Sequence, residues 1–392
     1  MKNLRQRLRR TGFFLGSLLF ASAAIGPSAM AAGTINEYSL GSSGSSPFGI
    51  TAGPDGNIWI AERSGSIAKL STAGTLLATY PVAGGSSEPF EITAGPDGNL
   101  WFTDSANNAI GKITTSGVIT EYTSGISANA LPSGITAGGD GNLWFTEEGI
   151  TNKVGKITPS GVVTEYSLGF GLPGDSITKG ADGNVWFVDE AGSIDQITPG
   201  GTITQFSTPS DAPTFVVAGP DGNLWFNSWN HNTIGKMDLS GNITDYPTPH
   251  NTNVYGMGAG PDGNVWFSLP FFDTIARITP SGVVTEFATP TTGSGPAGLT
   301  AGPDGNLWFS EQGTDLIGEF VIVDPVAPAA SASGGSPTTS ISNAVKAPDT
   351  GFGIPTHLTP LSAAIISGSI LSSAGGLLLL YRSRVNFGKG LS

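Results

Sequence analysis

A short phrase built around Asp-Gly-Asn recurs seven times, and its spacing limits the folds open to this chain more than any other feature. The copies begin at residues 55, 97, 140, 182, 221, 262 and 304. Successive copies are therefore 42, 43, 42, 39, 41 and 42 residues apart. Self-similarity at such a period indicates a repeated supersecondary unit. The chain is predicted to be an array of seven units.

Each repeat shows the pattern of four short strands, A to D. In the second repeat, Pro96-Asp97-Gly98-Asn99 is typical of a tight hairpin turn, because proline fixes φ and glycine tolerates positive φ. Large side chains alternate after it, and Ser116-Gly117 marks a second turn. A four-stranded antiparallel unit of about 40 residues has the size of a propeller blade. We therefore predict an all-β fold, a seven-bladed β-propeller over residues 32–324.

The ends of the array predict how the ring closes. The seventh repeat supplies strands A, B and C, but no fourth strand follows 317–321. Residues 34–39 match the fourth strand of the third repeat, 162–167, so the N-terminal strand is expected to complete the last blade. One tryptophan follows each turn, and we expect these seven to pack between blades. They are Trp59, Trp101, Trp144, Trp186, Trp225, Trp266 and Trp308.

The segments outside the array indicate export and anchoring. Residues 1–31 have a basic start and an apolar run, which is typical of a secretory signal peptide cut after Ala31. Residues 325–346 are rich in Pro, Ala, Ser and Thr and predict an extended linker. An uncharged stretch at 361–380 is long enough to span a bilayer, and the basic end after it would stay cytoplasmic.

The segment 347–392 resembles the wall-sorting signal of Gram-positive surface proteins. Ala347-Pro348-Asp349-Thr350-Gly351 stands where that family has Leu-Pro-x-Thr-Gly, with Ala in place of Leu. The resemblance implies sortase cleavage between Thr350 and Gly351 and attachment of Thr350 to the cell wall. The alternative is a retained transmembrane anchor. Both place the propeller outside the cell.

The charge balance of the predicted propeller argues against one class of function. Residues 33–324 contain 29 acidic and eight basic residues, a balance of −21, and such a surface repels phosphate backbones. Nucleic-acid binding is therefore not expected, whereas cationic ligands fit. The chain has no cysteine, so blade packing and ring closure must stabilise the exported protein without disulfides. A closed ring is expected to be monomeric.

Three phrases of the third repeat resemble streptogramin B (virginiamycin B) lyases: 134–138, 141–147 and 154–161. The likeness spans about 33–323. It implies the propeller fold and an elimination that opens a cyclic depsipeptide antibiotic. It also implies a histidine and a metal-assisting glutamate in a Glu-Pro-His-Gly phrase at the start of strand A, a further acid near the end of strand B, and Mg²⁺.

The histidine position of that phrase is not filled by histidine in any repeat. The corresponding residues are read as Phe48, Phe90, Ser133, Gly174, Thr214, Tyr255 and Ala297. In the sixth repeat the phrase reads Asn253-Val254-Tyr255-Gly256, which lacks both the base and the carboxylate. Catalysis by the family's residues is therefore uncertain.

Acidic and aromatic residues instead mark the same face as a candidate binding site. Five carboxylates lie three residues after the strand B tryptophans: Glu62, Asp104, Glu147, Asp189 and Glu311. They are expected either to bind a cation together or to lie solvated at the strand ends. Phe48, Phe90, Trp229 and Tyr255 are expected beside them and suit sugars, peptides or cationic groups. Capping of the core is the alternative role for these rings.

Catalytic residues are assigned only as candidates: His231, His250 and Glu311, of which the histidines titrate near neutral pH. The metal is unknown, with Mg²⁺ implied by the resemblance alone. Three functions remain open: a surface propeller that binds an extracellular small molecule, peptide or glycan, a lyase of the streptogramin type, and a passive adhesive or spacer domain.

Overall fold

The computed structural model describes residues 33–322, except for residues 170, 209–211, 229–230 and 251–252. These residues form seven antiparallel sheets of four strands each. The predicted all-β seven-bladed propeller is thereby confirmed. The chain divides into two units, Met1–Ala327 and Pro328–Ser392, and only the first contains described residues.

The first strand, β1 (Thr34–Ser39), precedes blade one. The strands of blade one are β2 (Pro47–Ala52), β3 (Ile58–Glu62), β4 (Ser66–Leu70) and β5 (Leu76–Pro81). Blade two has β6 (Pro89–Ala94), β7 (Leu100–Asp104), β8 (Ala109–Ile113) and β9 (Ile119–Tyr122). Blade three has β10 (Pro132–Ala137), β11 (Leu143–Glu147), β12 (Lys153–Ile157) and β13 (Val163–Ser167). Blade four has β14 (Pro173–Lys179), β15 (Val185–Asp189), β16 (Ser193–Ile197) and β17 (Ile203–Ser207).

Blades five and six begin with shorter inner strands than the others. Blade five has β18 (Val216–Ala218), β19 (Leu224–Asn227), β20 (Thr233–Met237) and β21 (Ile243–Pro247). Blade six has β22 (Met257–Ala259), β23 (Val265–Leu269), the 3-10 helix Pro270–Phe272, β24 (Thr274–Ile278) and β25 (Val284–Ala288). Blade seven has β26 (Pro296–Ala301), β27 (Leu307–Glu311) and β28 (Leu316–Val321).

The N-terminal strand closes the ring as predicted. β1 pairs antiparallel with β28 over its whole length, from Thr34 opposite Val321 to Ser39 opposite Leu316. At this junction, Tyr38 Oη donates a hydrogen bond of 2.7 Å to Glu319 Oε2. The two ends of the described chain thus share one sheet, and β1 covers the edge that β28 would otherwise leave unpaired.

The core lies between blades and is centred on the repeated tryptophans. Trp59 of blade one is fully buried against Ile92 and Phe102 of blade two. Its Nε1 also donates to Asp55 Oδ1 of its own turn, at 3.0 Å, so the polar edge of the indole has a partner. The same hydrogen bond recurs in every blade. Each of the other six tryptophans also packs in a cluster with apolar residues of the next blade, which confirms the packing role predicted for this position.

Several predicted segments fall outside the described residues. These are the signal peptide with Ala31, the linker, the sorting motif with Thr350 and Gly351, and the apolar span 361–380. Across 33–322, apart from the gaps, no helix has the length and apolar character needed to cross a membrane. Export and anchoring stay predictions.

Candidate functional site

The candidate site lies at the end of the ring where strands A begin and strands B end. We call this end the loop face, because the B–C and D–A connections lie there, and the other end the turn face. At the loop face, each blade contributes one residue to a ring around the propeller axis. It is the residue two positions before the first strand A residue that pairs regularly with strand B. We call these seven the mouth residues: Phe48, Phe90, Ser133, Asp175, Thr214, Tyr255 and Ala297.

Blade four corrects one of the sequence assignments. In blade one, Pro47 lies three residues before Ile50, and both pair with strand B. In blade four, the equivalent residues are Pro173 and Ile177, four residues apart. One additional residue is accommodated in the bulge between them. Asp175, rather than Gly174, therefore occupies the mouth position. Comparing the repeats by sequence position had missed this carboxylate.

One side of the mouth is aromatic and carries a cation. The rings of Phe48 and Phe90 stack with a centroid separation of 4.3 Å and an interplanar angle of 21°. The Arg63 guanidinium carbon lies 6.0 Å from the Phe48 centroid and 5.5 Å from the Phe90 centroid. Arg63 Nε also donates to Glu88 Oε1 at 3.0 Å, and both phenylalanines are buried. These contacts hold the guanidinium over the ring pair.

The adjacent side, in blades three and four, is acidic. Ser133 Oγ donates to Asp175 Oδ1 at 2.7 Å. The exposed Glu148 follows strand β11, and its carboxyl lies close enough to Asp175 and Glu190 for each to affect its titration. Although the residue is exposed, desolvation of its carboxyl by surrounding atoms raises the pKa of Glu148. The two neighbouring carboxylates raise it further, whereas Arg63 acts in the opposite direction. The mouth thus places acids across from one arginine.

Below the mouth, the seven inner strands enclose a cavity of about 120 Å³. Glu91 and Asp175 are the carboxylates that line it. Burial raises the pKa of Glu91 to about 8, and the charge of Asp175 contributes to the increase. Carboxyl groups are therefore concentrated on the propeller axis, where the local environment disfavours their charged forms unless a cation is present.

The five carboxylates at the ends of strands B are not solvated, which corrects one expectation from the sequence. Each is at most 1% exposed. Asp104 accepts hydrogen bonds from Ser87 Oγ at 2.6 Å and from the Glu88 amide at 3.0 Å. Asp189, Glu147 and Glu311 likewise accept from the loops of their own blades. These four carboxylates hold the loop-face connections of their blades, and contact with a ligand stays a prediction for all five.

Burial raises the pKa values of two of these acids to near or above neutrality. Desolvation raises the pKa of Glu62 to about 7 and that of Glu311 to about 8. The neighbouring Glu37, on the outer strand of blade seven, adds to the increase for Glu311. One buried oxygen of each of these side chains has no hydrogen-bonding partner. A proton shared with a second carboxyl is the simplest way to accommodate such groups.

The two candidate histidines, His231 and His250, are not among the mouth residues. His250 Nε2 lies 3.3 Å from Glu286 Oε2, and its ring stacks on Phe272 at 4.6 Å. The His231 amide donates to Ser228 Oγ at 3.2 Å, within the B–C connection of blade five. Neither histidine is a mouth residue. Trp229 lies outside the described residues, so its assignment stays a prediction.

The family can be identified from the whole chain. The model of the virginiamycin B lyase family matches residues 20–173 and 173–327. The chain belongs to the virginiamycin B lyase family. A search among functionally curated proteins gives no match.

Solved structures of this family resemble the propeller closely. A selenomethionine form of virginiamycin B lyase from Staphylococcus aureus is 32% identical with a TM-score of 0.70, covering 74% of this chain and 100% of that chain. A catalytically inactive histidine-to-alanine variant of that enzyme, with quinupristin, is 32% identical with a TM-score of 0.69 over the same shares. A streptogramin B lyase structure is 31% identical, with a TM-score of 0.69 and coverage of 74% and 97%.

The mouth residues of this chain include no histidine, and the mouth position of blade six has an apolar environment. Tyr255 occupies the mouth position, and its ring meets Phe271 edge-on at 5.9 Å. Val254 before it is fully buried, and Leu269 at the end of strand β23 is 1% exposed. These apolar groups supply neither the base nor the carboxylate of the Glu-Pro-His-Gly phrase.

The same residues do not fit the Mg²⁺ ion that the family resemblance implied. Magnesium prefers carboxylate oxygens and ordered water, whereas blade six offers Asn253, Val254 and Leu269 around this position. Within the described ranges, no group of three or more His, Cys, Asp or Glu side chains is arranged to hold a metal ion. We therefore derive no step through a metal.

Proposed function

We propose that this protein is a binding member of the virginiamycin B lyase family that retains an extracellular ligand with a cationic group at the mouth of its propeller. The observation that carries this proposal is the identity of the mouth residues. Aromatic rings and a carboxylate stand around the axis where the family resemblance implied a catalytic histidine. Recognition of a cation is what such a combination supports best.

The electrostatics of the mouth explain why a cation suits it. Glu91 and Glu148 have raised pKa values, so their ionised forms are destabilised without a positive partner. A bound ammonium or guanidinium group would supply that partner and displace the protons. The stacked and buried Phe48 and Phe90 rings, covered by Arg63, form the apolar wall beside the acids.

This coupling predicts that the affinity for a permanent cation rises with pH. Benzyltrimethylammonium keeps its charge at all pH values, so only the protein titrates. With Glu91 titrating at about 8, we expect the affinity to increase at least about tenfold between pH 6 and pH 9, since one displaced proton corresponds to a factor of ten per pH unit below the pKa. Isothermal titration calorimetry in buffers of different ionisation enthalpy measures both affinity and proton release.

Two single substitutions make the matched controls for this measurement. Glu148→Gln removes one negative charge at the mouth, and Asp238→Asn removes one at a C–D turn of the turn face. The first variant is expected to weaken binding, and the second to leave it unchanged at moderate ionic strength. Equal affinities in both variants would show that net charge alone attracts the cation.

A lyase is the second candidate, because a carboxyl with a pKa near neutrality is suited to remove a proton in an elimination. Glu91 and Glu148 are the residues with that property at the axis. The test incubates the purified protein with a streptogramin B antibiotic and Mg²⁺ and follows ring opening by mass spectrometry. We expect no turnover above background, because the mouth lacks histidine. Rapid ring opening abolished by Glu148→Gln would overturn the binding proposal.

Export and attachment to the cell surface form part of the proposal and rest on the sequence. The signal peptide ending at Ala31 and the Thr350-Gly351 motif before an apolar span motivate it. Peptide mapping of protein extracted from the cell surface is expected to lack the residues after Thr350, and Thr350→Ala is expected to restore them. Recovery of peptides from 382–392 in the mature form would instead support a retained membrane anchor. A passive spacer would show no ligand in any of the binding tests.

A further inference from the structure

Two phenylalanines on the loop face are exposed although the chain buries most of its large apolar side chains. Phe271 is 55% exposed and Phe272 is 44% exposed. Both belong to the 3-10 helix Pro270–Phe272, which replaces a simple B–C connection in blade six. Adjacent exposed aromatic rings commonly mark a binding surface, because they leave apolar area in water.

The local structure holds these rings in place. Pro270 begins the 3-10 helix, and Asp273 ends it in the left-handed conformation with φ 48°. The Asp273 carboxylate accepts hydrogen bonds from the Gly293 amide at 2.8 Å and the Gly295 amide at 3.3 Å, which ties the helix to the connection into blade seven. Little conformational entropy would therefore be lost when a ligand binds.

The exposed rings are continuous with the mouth. Phe272 stacks on His250 at 4.6 Å, and Phe271 contacts Tyr255, a mouth residue, at 5.9 Å. Tyr255 packs in turn against the apolar cluster that contains Phe48 and Phe90. We call Tyr255, Phe271, Phe272 and His250 the aromatic platform.

We propose that the aromatic platform binds the apolar side chain of a cationic peptide whose basic group occupies the acidic side of the mouth. The choice of a cationic peptide rests on the proposed function, whereas the aromatic platform is inferred from the ring contacts alone. Charge complementarity supports this occupant. Of the eight basic residues in the described part of the chain, Arg63 and Lys153 lie at strand ends of the loop face, and Lys153 is paired with Glu165.

Three exposed valines at the other end of the ring provide a comparison. Val118, Val162 and Val283 are exposed to a similar degree, but each lies singly beside a C–D turn of its own blade, on the turn face. Val283 belongs to the same blade as the platform and is 59% exposed. It therefore provides the matched control for the loss of an exposed apolar side chain.

The experiment compares two synthetic hexapeptides of equal charge, (Lys-Trp)₃ and (Lys-Ser)₃, by isothermal titration calorimetry with the complete mature protein. We expect (Lys-Trp)₃ to bind about tenfold more tightly than (Lys-Ser)₃. Phe271→Ala combined with Phe272→Ala is expected to abolish this preference, and Val283→Ala to preserve it. If the double variant does not fold, Phe271→Ala alone is tested in its place, and a thermal melt checks that this variant is folded.

The outcomes separate the platform from the cation site. An unchanged preference in the double variant, or no binding of either peptide, would overturn the platform. Loss of preference in the double variant together with full binding by Glu148→Gln would retain the platform and refute the cation site. A wild-type protein that sediments as a dimer, with a monomeric platform variant, would assign the platform to a second copy of the chain instead.

Discussion

At the scale of single residues, glycines in the C–D turns determine how closely neighbouring blades approach. Gly117 has φ 92°, and a Cβ there would lie 1.9 Å from Cε1 of Tyr80 in the preceding blade. Gly161 receives Tyr122 in the same way. The tyrosine ring can contact the turn of the next blade only because no side chain is present.

Gly117→Ala is therefore expected to destabilise the protein by about 3 kcal/mol, since it adds a steric clash to the cost of positive φ. Gly98→Ala is the matched control, because Gly98 has φ 74° and no atom within 4 Å of the added Cβ. It is expected to cost only about 1 kcal/mol. Chemical denaturation of both variants measures the difference, and equal values would show that backbone strain alone explains the glycine.

At the scale of elements, β1 contributes more than its six residues suggest. It supplies the outer strand of blade seven, so its loss exposes the hydrogen-bonding groups of β28 and separates Tyr38 from Glu319 and from Trp308, with which its ring stacks at 5.6 Å. Closure of the ring by β1 therefore contributes to the stability of both blades that meet at this junction, blades seven and one.

Deletion of residues 33–40 is expected to lower the melting temperature by at least about 5 °C, whereas deletion of the predicted linker 325–346 is expected to leave it within about 1 °C. The linker deletion removes more of the chain, but only the deletion of 33–40 removes ladder pairing. Thermal melts monitored by circular dichroism measure the two midpoints. Equal midpoints would refute the stabilising role of ring closure by β1.

At the scale of the whole molecule, the buried acids set the pH dependence of stability. Glu62, Glu91 and Glu311 have pKa values raised from 4.5 to about 7 or 8. The folded state therefore holds protons that the unfolded chain releases, so this stability is present below about pH 4.5 and is lost as pH rises through 7 to 8. Asp55 acts oppositely. Burial opposes ionisation, but bonds from Lys69 and Trp59 lower its pKa to about 2, so its contribution is lost as pH falls below 3.8.

We expect maximal stability at about pH 4 and a melting temperature at least about 5 °C lower at pH 9. Glu311→Gln, whose side chain resembles the protonated acid, is expected to reduce the decrease in melting temperature at high pH. Differential scanning calorimetry across this range provides the test. A melting temperature that rises from pH 5 to pH 9 would contradict the assignment of protonated buried acids.

The sequence predicted the fold better than the site, and particular residues show why. The Asp-Gly-Asn turns and the tryptophans specify strands, hairpins and packing through local rules that apply equally in all seven copies. The bulge in blade four is a property of one copy, so equating repeats by position selected Gly174 instead of Asp175. Glu148, Arg63 and Phe271 follow strands B in connections that differ between blades, and nothing periodic in the sequence distinguished them.

The sequence alone therefore determined the number of blades, the strand order and the closure by residues 34–39, because hydrophobic alternation and turn chemistry act over neighbouring residues. Only the tertiary structure decided which carboxylates are buried within blades, such as Glu147 and Asp189, and which lie at the mouth, such as Asp175 and Glu148. The reason is that burial, and the pKa values that follow from it, depend on distances between side chains from different blades. Those distances exist only once the ring has closed.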